Sequence, residues 1–108
     1  MIIFAGKRKS GKTTEAIKLA SSTHSILIEP TTETAKCVQR QSHEMGYPVQ
    51  VISAEQYFHR RDRGEHPHYS VVIDELDIVL ERLFGCNVIM ATTTGCEIKS
   101  EANDIERR

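Results

Sequence analysis

The chain opens with the sequence IIFAGKRKSGKTT (residues 2–14), in which an apolar run leads into a basic loop bounded by glycines. Residues 2–5 show no polar alternation, which is typical of a strand that is buried on both faces. After Lys12, small and apolar residues recur at helical spacing, at Ala16, Ile17 and Ala20. We therefore predict a buried strand, a turn at the glycines and a helix that begins at Lys12.

The same alternation of strand and helix continues along the rest of the chain. Further strands are predicted over residues 25–29, 49–52, 70–74 and 87–91, with helices between them. The helix ends are marked by a Thr31 N-cap, a stop at Gly46, a capping box at residues 53–56 and a stop at Gly85. This alternation predicts an α/β fold with three α/β/α layers around a five-stranded parallel sheet. We place one domain over residues 1–95 and a polar C-terminal tail over residues 96–108.

The composition fits one globular domain and excludes several classes of protein. Of the 108 residues, 39% are hydrophobic and 27% are charged, which is ordinary globular usage. Fourteen Lys and Arg against fifteen Asp and Glu give a net charge of −1, so no global field attracts a polyanion. No apolar run approaches the ~20 residues of a membrane span, and we expect no membrane partner. The three cysteines lack CxxC spacing, which favours a reducing cytoplasm over a disulfide framework or a zinc site.

The loop over residues 6–13 matches the pattern GxxxxGK[ST] in its required place between a strand and a helix. Backbone N–H groups of such a loop point inward as a nest for phosphate, and the helix N-terminus adds partial positive charge. Lys12 reaches the β and γ phosphates as a point charge, and Thr13 is placed to ligate Mg²⁺. The alternative is an ordinary glycine-rich turn that enters a helix. The predicted nucleotide-binding residues are Gly6, Lys7, Arg8, Lys9, Ser10, Gly11, Lys12, Thr13 and Thr14.

An acidic pair, Asp74 and Glu75, follows the apolar run over residues 71–73. A carboxylate at the carboxyl end of a buried strand is placed to hold Mg²⁺ or its water shell, so Asp74 joins Thr13 as a predicted metal ligand. Glu75 is predicted to polarise the attacking nucleophile. The alternative is a strand that simply leads into an acidic helix N-terminus.

Three threonines, residues 92–94, follow the predicted strand over residues 87–91. A polar residue at the end of such a strand can sense the γ phosphate or orient water, and strand geometry favours Thr92 for this role. The alternative is that the threonines only form a loop. We predict Thr92, with Lys12 and Glu75, as a catalytic residue.

With these motifs the chain resembles the P-loop nucleoside triphosphatases, in the RecA-like and helicase-like branch that carries a catalytic glutamate. The resemblance covers about residues 1–95; residues 28–31 and 73–77 also look like motifs Ia and II of superfamily 2 helicases. It implies ATP or a related triphosphate as ligand, Mg²⁺ as cofactor, and hydrolysis with Glu75 as base. It also implies the strand order 1-5-4-2-3. The small size is similar to phage or bacterial accessory ATPases, which places the protein in a bacterial or host cytoplasm.

The resemblance is incomplete, because helicases carry a second RecA-like lobe and an arginine finger. We expect a neighbouring copy or a partner to supply the arginine, and otherwise slow turnover. The candidate donors in trans are Arg82 and the group Arg60, Arg61 and Arg63. Type II thymidine kinases are a rival, because they share the Lys-Thr-Thr-Glu run at residues 12–15 and an Ile-Asp-Glu motif; Glu75 then deprotonates a nucleoside hydroxyl. A non-catalytic nucleotide-binding module is the third hypothesis.

The segment over residues 57–69 combines aromatic, basic and histidine residues. Such a mixture stacks on bases and holds phosphates of single-stranded nucleic acid, so DNA or RNA is a candidate partner. The alternative is a solvated loop whose Tyr57 and Phe58 face the core. Its three histidines lack the spacing of a zinc site.

Overall fold

The computed structural model describes residues 1–6, 11–64 and 70–100. The chain divides into two compact units, which we name the terminal unit, Met1–Lys12 with Ile89–Arg108, and the central unit, Thr13–Val88. In chain order the elements are β1 (Ile2–Ala5), α1 (Lys12–Thr23), β2 (Ile26–Glu29), α2 (Thr32–Met45), β3 (Val51–Ser53), α3 (Ala54–Asp62), β4 (Val71–Ile73), α4 (Leu76–Phe84) and β5 (Glu97–Ser100). The fold is mixed α/β, and all its strand pairs are parallel within the described residues.

The central unit contains a three-stranded sheet with the order β3-β2-β4. Strand β2 lies in the middle and is buried along its whole length. Its Leu27 packs with apolar residues of α1 and α2, whereas Ile26 and Ile28 pack with Ala54 and Val79 from the other side. Successive side chains of a strand point to opposite faces, so helices cover both faces of this sheet. This agrees with the predicted α/β class.

The helix ends follow local sequence signals. Thr31 caps α2 by accepting a hydrogen bond from the N–H of Thr34 at 3.1 Å. Ser53 and Gln56 form the predicted capping box of α3, with reciprocal bonds of 3.1 and 2.9 Å. Helices α2 and α4 end at glycines with φ of 79° and 71°, a backbone conformation that favours glycine. These caps confirm the predicted boundaries.

The terminal unit differs from the sequence prediction. Residues 87–93 have no regular secondary structure, and Ile89 is 97% exposed, so the predicted strand over residues 87–91 is wrong. Strand β1 pairs instead with β5, with Ile2 opposite Glu97. An apolar run becomes a strand only if it finds a backbone partner, and here β1 pairs with residues 97–100, which we had placed in the polar tail.

The described strands form two sheets, of two and three strands, instead of one five-stranded sheet. The order β3-β2-β4 corresponds to the 4-2-3 part of the predicted order, and the complete RecA-like order stays a prediction. Residues 101–108 of the predicted tail lie outside the described residues. Among the helices of the described part, none has the length and apolar character that crossing a membrane requires.

Candidate functional site

The two residues predicted as magnesium ligands, Thr13 and Asp74, meet in the central unit. Asp74 directly follows β4, and its N–H donates to the carbonyl of Ile28 at 3.0 Å, which extends the ladder between β4 and β2. Thr13 lies in the first turn of α1, and its Oγ1 donates to Oδ2 of Asp74 at 2.9 Å across 61 residues of sequence. Asp74 is only 5% exposed. The fold therefore directs a hydroxyl and a carboxylate toward each other at the carboxyl end of the sheet.

A second carboxyl group, that of Glu29, lies beside Asp74. Glu29 ends β2, and Ile28 is in register with Ile73, so the two acids occupy the ends of neighbouring parallel strands. Glu29 is 2% exposed, and its Oε2 has no hydrogen-bond partner in residues 1–6, 11–64 and 70–100. The pKa of Glu29 is raised to about 10, chiefly by burial and in addition by hydrogen bonding to Asp74 and by the charges of Asp74 and Glu75. At neutral pH the Glu29 carboxyl group is therefore protonated in the cation-free protein.

Glu75, the predicted base, stands at the N-cap of α4 with φ 56° and ψ 54° and makes no side-chain capping bond. This left-handed backbone costs a residue with a Cβ atom about 1–2 kcal/mol. Its carbonyl accepts the N–H of Val79 at 3.0 Å, which starts the helix. Its side chain is half-buried and its charge acts on Glu29, so the predicted base belongs to the same acidic group as Asp74.

In the terminal unit, Nζ of Lys12 donates to the carbonyl of Gly6 at 2.9 Å. Gly11 has φ 86°, which a side chain would make unfavourable. The bond from Lys12 thus joins the end of the predicted phosphate loop to its beginning. The remaining loop residues, Lys7, Arg8, Lys9 and Ser10, lie outside the described residues.

The remaining predicted site residues are threonines of α1 and of the segment over residues 92–94. Thr14 is half-buried in α1, and Thr92, Thr93 and Thr94 are exposed. Because no strand forms over residues 87–91, Thr92 does not occupy the strand end from which its sensor role was predicted. The position at a strand end, on which the prediction of Thr92 as a catalytic residue was based, is therefore absent.

The oxygen set of the acidic group fits a hard divalent cation. Mg²⁺ is held in proteins by one or two carboxylates, with water and substrate phosphates completing its octahedron. Thr13 and Asp74 supply such oxygens. No three His, Cys, Asp or Glu side chains converge on a metal position in residues 1–6, 11–64 and 70–100. Any cation at this edge of the sheet would therefore need water or other non-protein ligands as well.

The basic segment is more helical than predicted, because α3 continues to Asp62. Tyr57 packs against the core, whereas Phe58 is 39% exposed and has the guanidinium of Arg61 5.9 Å from its ring centre. A cavity of about 460 Å³ lies beside this helix, lined by Thr32, Ser53, Glu55, Gln56, His59, Arg60 and Arg63. Residues 65–69 lie outside the described residues, and Arg82 is exposed on α4.

The sequence interpretation missed the role of Glu29, although a signal was present. A lone acidic residue closes the apolar strand at Glu29, as Asp74 does after β4, and a buried strand seldom ends in a charge without a reason. Comparison with known proteins gives no match to the chain, whether with protein-family profiles, curated proteins or solved structures.

Proposed function

We propose that the protein binds a nucleoside triphosphate with Mg²⁺ and hydrolyses it, with ATP as the expected substrate. The observation that carries this proposal is the 2.9 Å hydrogen bond between Oγ1 of Thr13 and Oδ2 of Asp74. It joins the end of a GxxxxGK[ST] sequence to a buried carboxylate at the carboxyl end of a parallel strand. Ligands of open α/β sheets bind outside the carboxyl ends of the strands, and this pair lies there.

Binding of the triphosphate is assigned to the loop and to Lys12, which directly precedes Thr13. The ammonium of Lys12, which also donates to the carbonyl of Gly6, is assigned to the β and γ phosphates as a point charge. Thr13 and Asp74 are assigned to Mg²⁺, which neutralises charge that develops on the phosphates. A lone pair of the Thr13 hydroxyl and the carboxylate of Asp74 would hold Mg²⁺ when it is bound.

Hydrolysis needs a base that accepts the proton of the attacking water, and we assign this to Glu75. The bond from the water oxygen to the γ phosphorus forms while the bond from that phosphorus to the β–γ bridging oxygen breaks, which releases the diphosphate and phosphate. Glu75 follows the ligand Asp74 directly, and the left-handed backbone at Glu75 fixes where its side chain leaves the sheet. General base catalysis of this kind contributes roughly 10²–10⁴-fold in rate.

The test is a turnover assay on the full chain with ATP and Mg²⁺, with and without single-stranded DNA, duplex DNA or RNA. We expect phosphate release, and we expect Glu75→Gln to retain nucleotide binding while turnover falls about 10²–10⁴-fold. Glu44→Gln, which changes an exposed residue of α2, is the matched control and should leave turnover unchanged. A Glu75→Gln rate equal to that of the wild type contradicts the assignment of the base.

Two other results would assign a different function to the site. A nucleoside monophosphate formed from thymidine and ATP would indicate phosphotransfer to a nucleoside hydroxyl. Tight nucleotide binding without turnover, even with nucleic acid present, would indicate a non-catalytic binding module.

A further inference from the structure

We propose that Glu29 and Asp74 form, with the hydroxyl of Thr13, a divalent-cation site that fills before the nucleotide binds. The inference deepens the proposed function and rests on it for the use of the cation, but binding of the cation itself can be measured without any nucleotide. In this arrangement Glu29 supplies a second carboxylate that the sequence motifs do not assign.

The first observation is the placement of the two carboxyl groups on one face of the sheet. Ile28 is in register with Ile73, and residues in register on neighbouring parallel strands point to the same face. Leu27 and Val72, two positions before Glu29 and Asp74, both pack in the core cluster that includes Ile17 of α1. The acids therefore lie on the α1 side of the sheet, where Thr13 bonds to Asp74.

The second observation is the unsatisfied oxygen of Glu29. Its Oε2 is buried and has no hydrogen-bond partner among the described residues, and the residue is 2% exposed. Buried polar atoms almost always have a partner, and an exception calls for an explanation such as an ion. A second carboxylate beside it makes the position worse for an anion, since like charges repel at short range. A divalent cation that displaces the proton of Glu29 would give Oε2 a partner and offset the repulsion between the two carboxylates.

The ligand set selects the class of cation. Two carboxylates and a hydroxyl are hard oxygen ligands, which suit Mg²⁺ and Mn²⁺ and do not suit thiolate- or imidazole-seeking metals. Three protein oxygens leave half of an octahedron for water, and phosphates can replace that water later. With Asp74 as the only carboxylate, phosphates would have to supply most of the binding. Once the cation has displaced the proton of Glu29, the carboxylate supplies charge that makes the nucleotide unnecessary for cation binding.

The test measures Mn²⁺ binding to the nucleotide-free full chain, from the loss of the free-ion electron paramagnetic resonance signal. We expect one Mn²⁺ per chain, displaced by excess Mg²⁺. Glu29→Gln and Asp74→Asn should each weaken binding by at least about tenfold, whereas Glu44→Gln should bind as the wild type does. Circular dichroism of each variant shows whether the fold is retained. If Glu29→Gln unfolds, Mn²⁺ binding to Asp74→Asn and to Thr13→Val is compared with the wild type instead, by the same tenfold criterion.

Failure of this inference is distinguishable from failure of the proposed function. Nucleotide binding in the presence of Mg²⁺ is measured on the same preparations. If wild-type protein binds Mg²⁺ with ATP but no Mn²⁺ without nucleotide, or if Glu29→Gln binds Mn²⁺ as tightly as the wild type, the early cation site is refuted and the proposed function stands. If Mn²⁺ binds but no nucleotide binds, the proposed function is refuted and the early cation site stands.

Discussion

The buried Glu29 carboxyl group makes the stability of the cation-free protein depend on pH. Its pKa rises from 4.5 to about 10 in the folded state, chiefly through burial. The folded chain therefore keeps a proton that the unfolded chain releases throughout the interval between those two values. Stability contributed in this way is complete below pH 4.5 and is lost progressively as the pH rises toward 10. We predict that the free energy of unfolding falls as the pH rises from 6 to 8.

The size of the effect follows from one proton. A difference of one bound proton between the two states gives a slope of about 1.4 kcal/mol per pH unit, so ~2.7 kcal/mol is lost between pH 6 and pH 8. Any folded pKa above about 9 gives nearly the same slope over this range. Glu29→Gln retains the shape of the side chain and cannot titrate. The difference in stability between wild type and variant should therefore change by about this amount, because the groups away from position 29 titrate alike in both.

The assay is urea unfolding followed by circular dichroism at pH 6, 7 and 8, with EDTA present to remove divalent cations. Glu44→Gln, on the exposed side of α2, should show the slope of the wild type. A stability difference between wild type and Glu29→Gln that stays constant from pH 6 to pH 8 would refute the argument, since it would mean that Glu29 does not hold a proton in the folded chain.

Three further predictions concern the same region. Thr13→Val removes the donor to the buried Asp74 carboxylate. It should lower the free energy of unfolding by about 1–3 kcal/mol, measured by urea unfolding, and weaken Mg²⁺-dependent nucleotide binding, measured by calorimetric titration. Thr13→Ser should preserve the stability and the nucleotide binding. Glu75→Gly relieves a left-handed backbone and should raise the free energy of unfolding by about 1 kcal/mol, while the loss of the base lowers turnover about 10²–10⁴-fold. His24→Gly, at the other non-glycine residue with positive φ among those described, should give the same gain in stability with unchanged turnover. Ser53→Ala removes the cap of α3 and should cost about 1 kcal/mol in urea unfolding, with no loss of nucleotide binding.

The parts of the fold that could be predicted are those encoded locally. The capping box at Ser53 and Gln56 involves residues three apart, and Gly46 ends α2 through its own backbone preference, so neighbouring residues suffice to predict them. The pairing of β1 is different, because its partner is selected by contacts far along the chain. The apolar run over residues 87–91 resembles a strand by composition, whereas β1 pairs with the more polar Glu97–Ser100.

The candidate site also contains residues that local sequence predicts and residues that it does not. The spacing of the loop motif and the end of an apolar strand point to Thr13 and Asp74, and the structure brings these two together. The properties of Glu29 depend on the register of β2 against β4 and on burial, which no local pattern reveals. The left-handed backbone of Glu75 is likewise imposed by the elements on either side, since glutamate has no preference for that conformation.

The most direct test of the central claim is calorimetric titration of ATP with Mg²⁺ into wild-type protein and Lys12→Ala. We predict one binding site per chain in the wild type and affinity weaker by roughly 10–100-fold in the variant, which corresponds to the ~1.5–3 kcal/mol of a charge-assisted hydrogen bond. Circular dichroism should show that the variant is folded. No binding to the wild type, or equal affinity in a folded Lys12→Ala protein, would contradict the account.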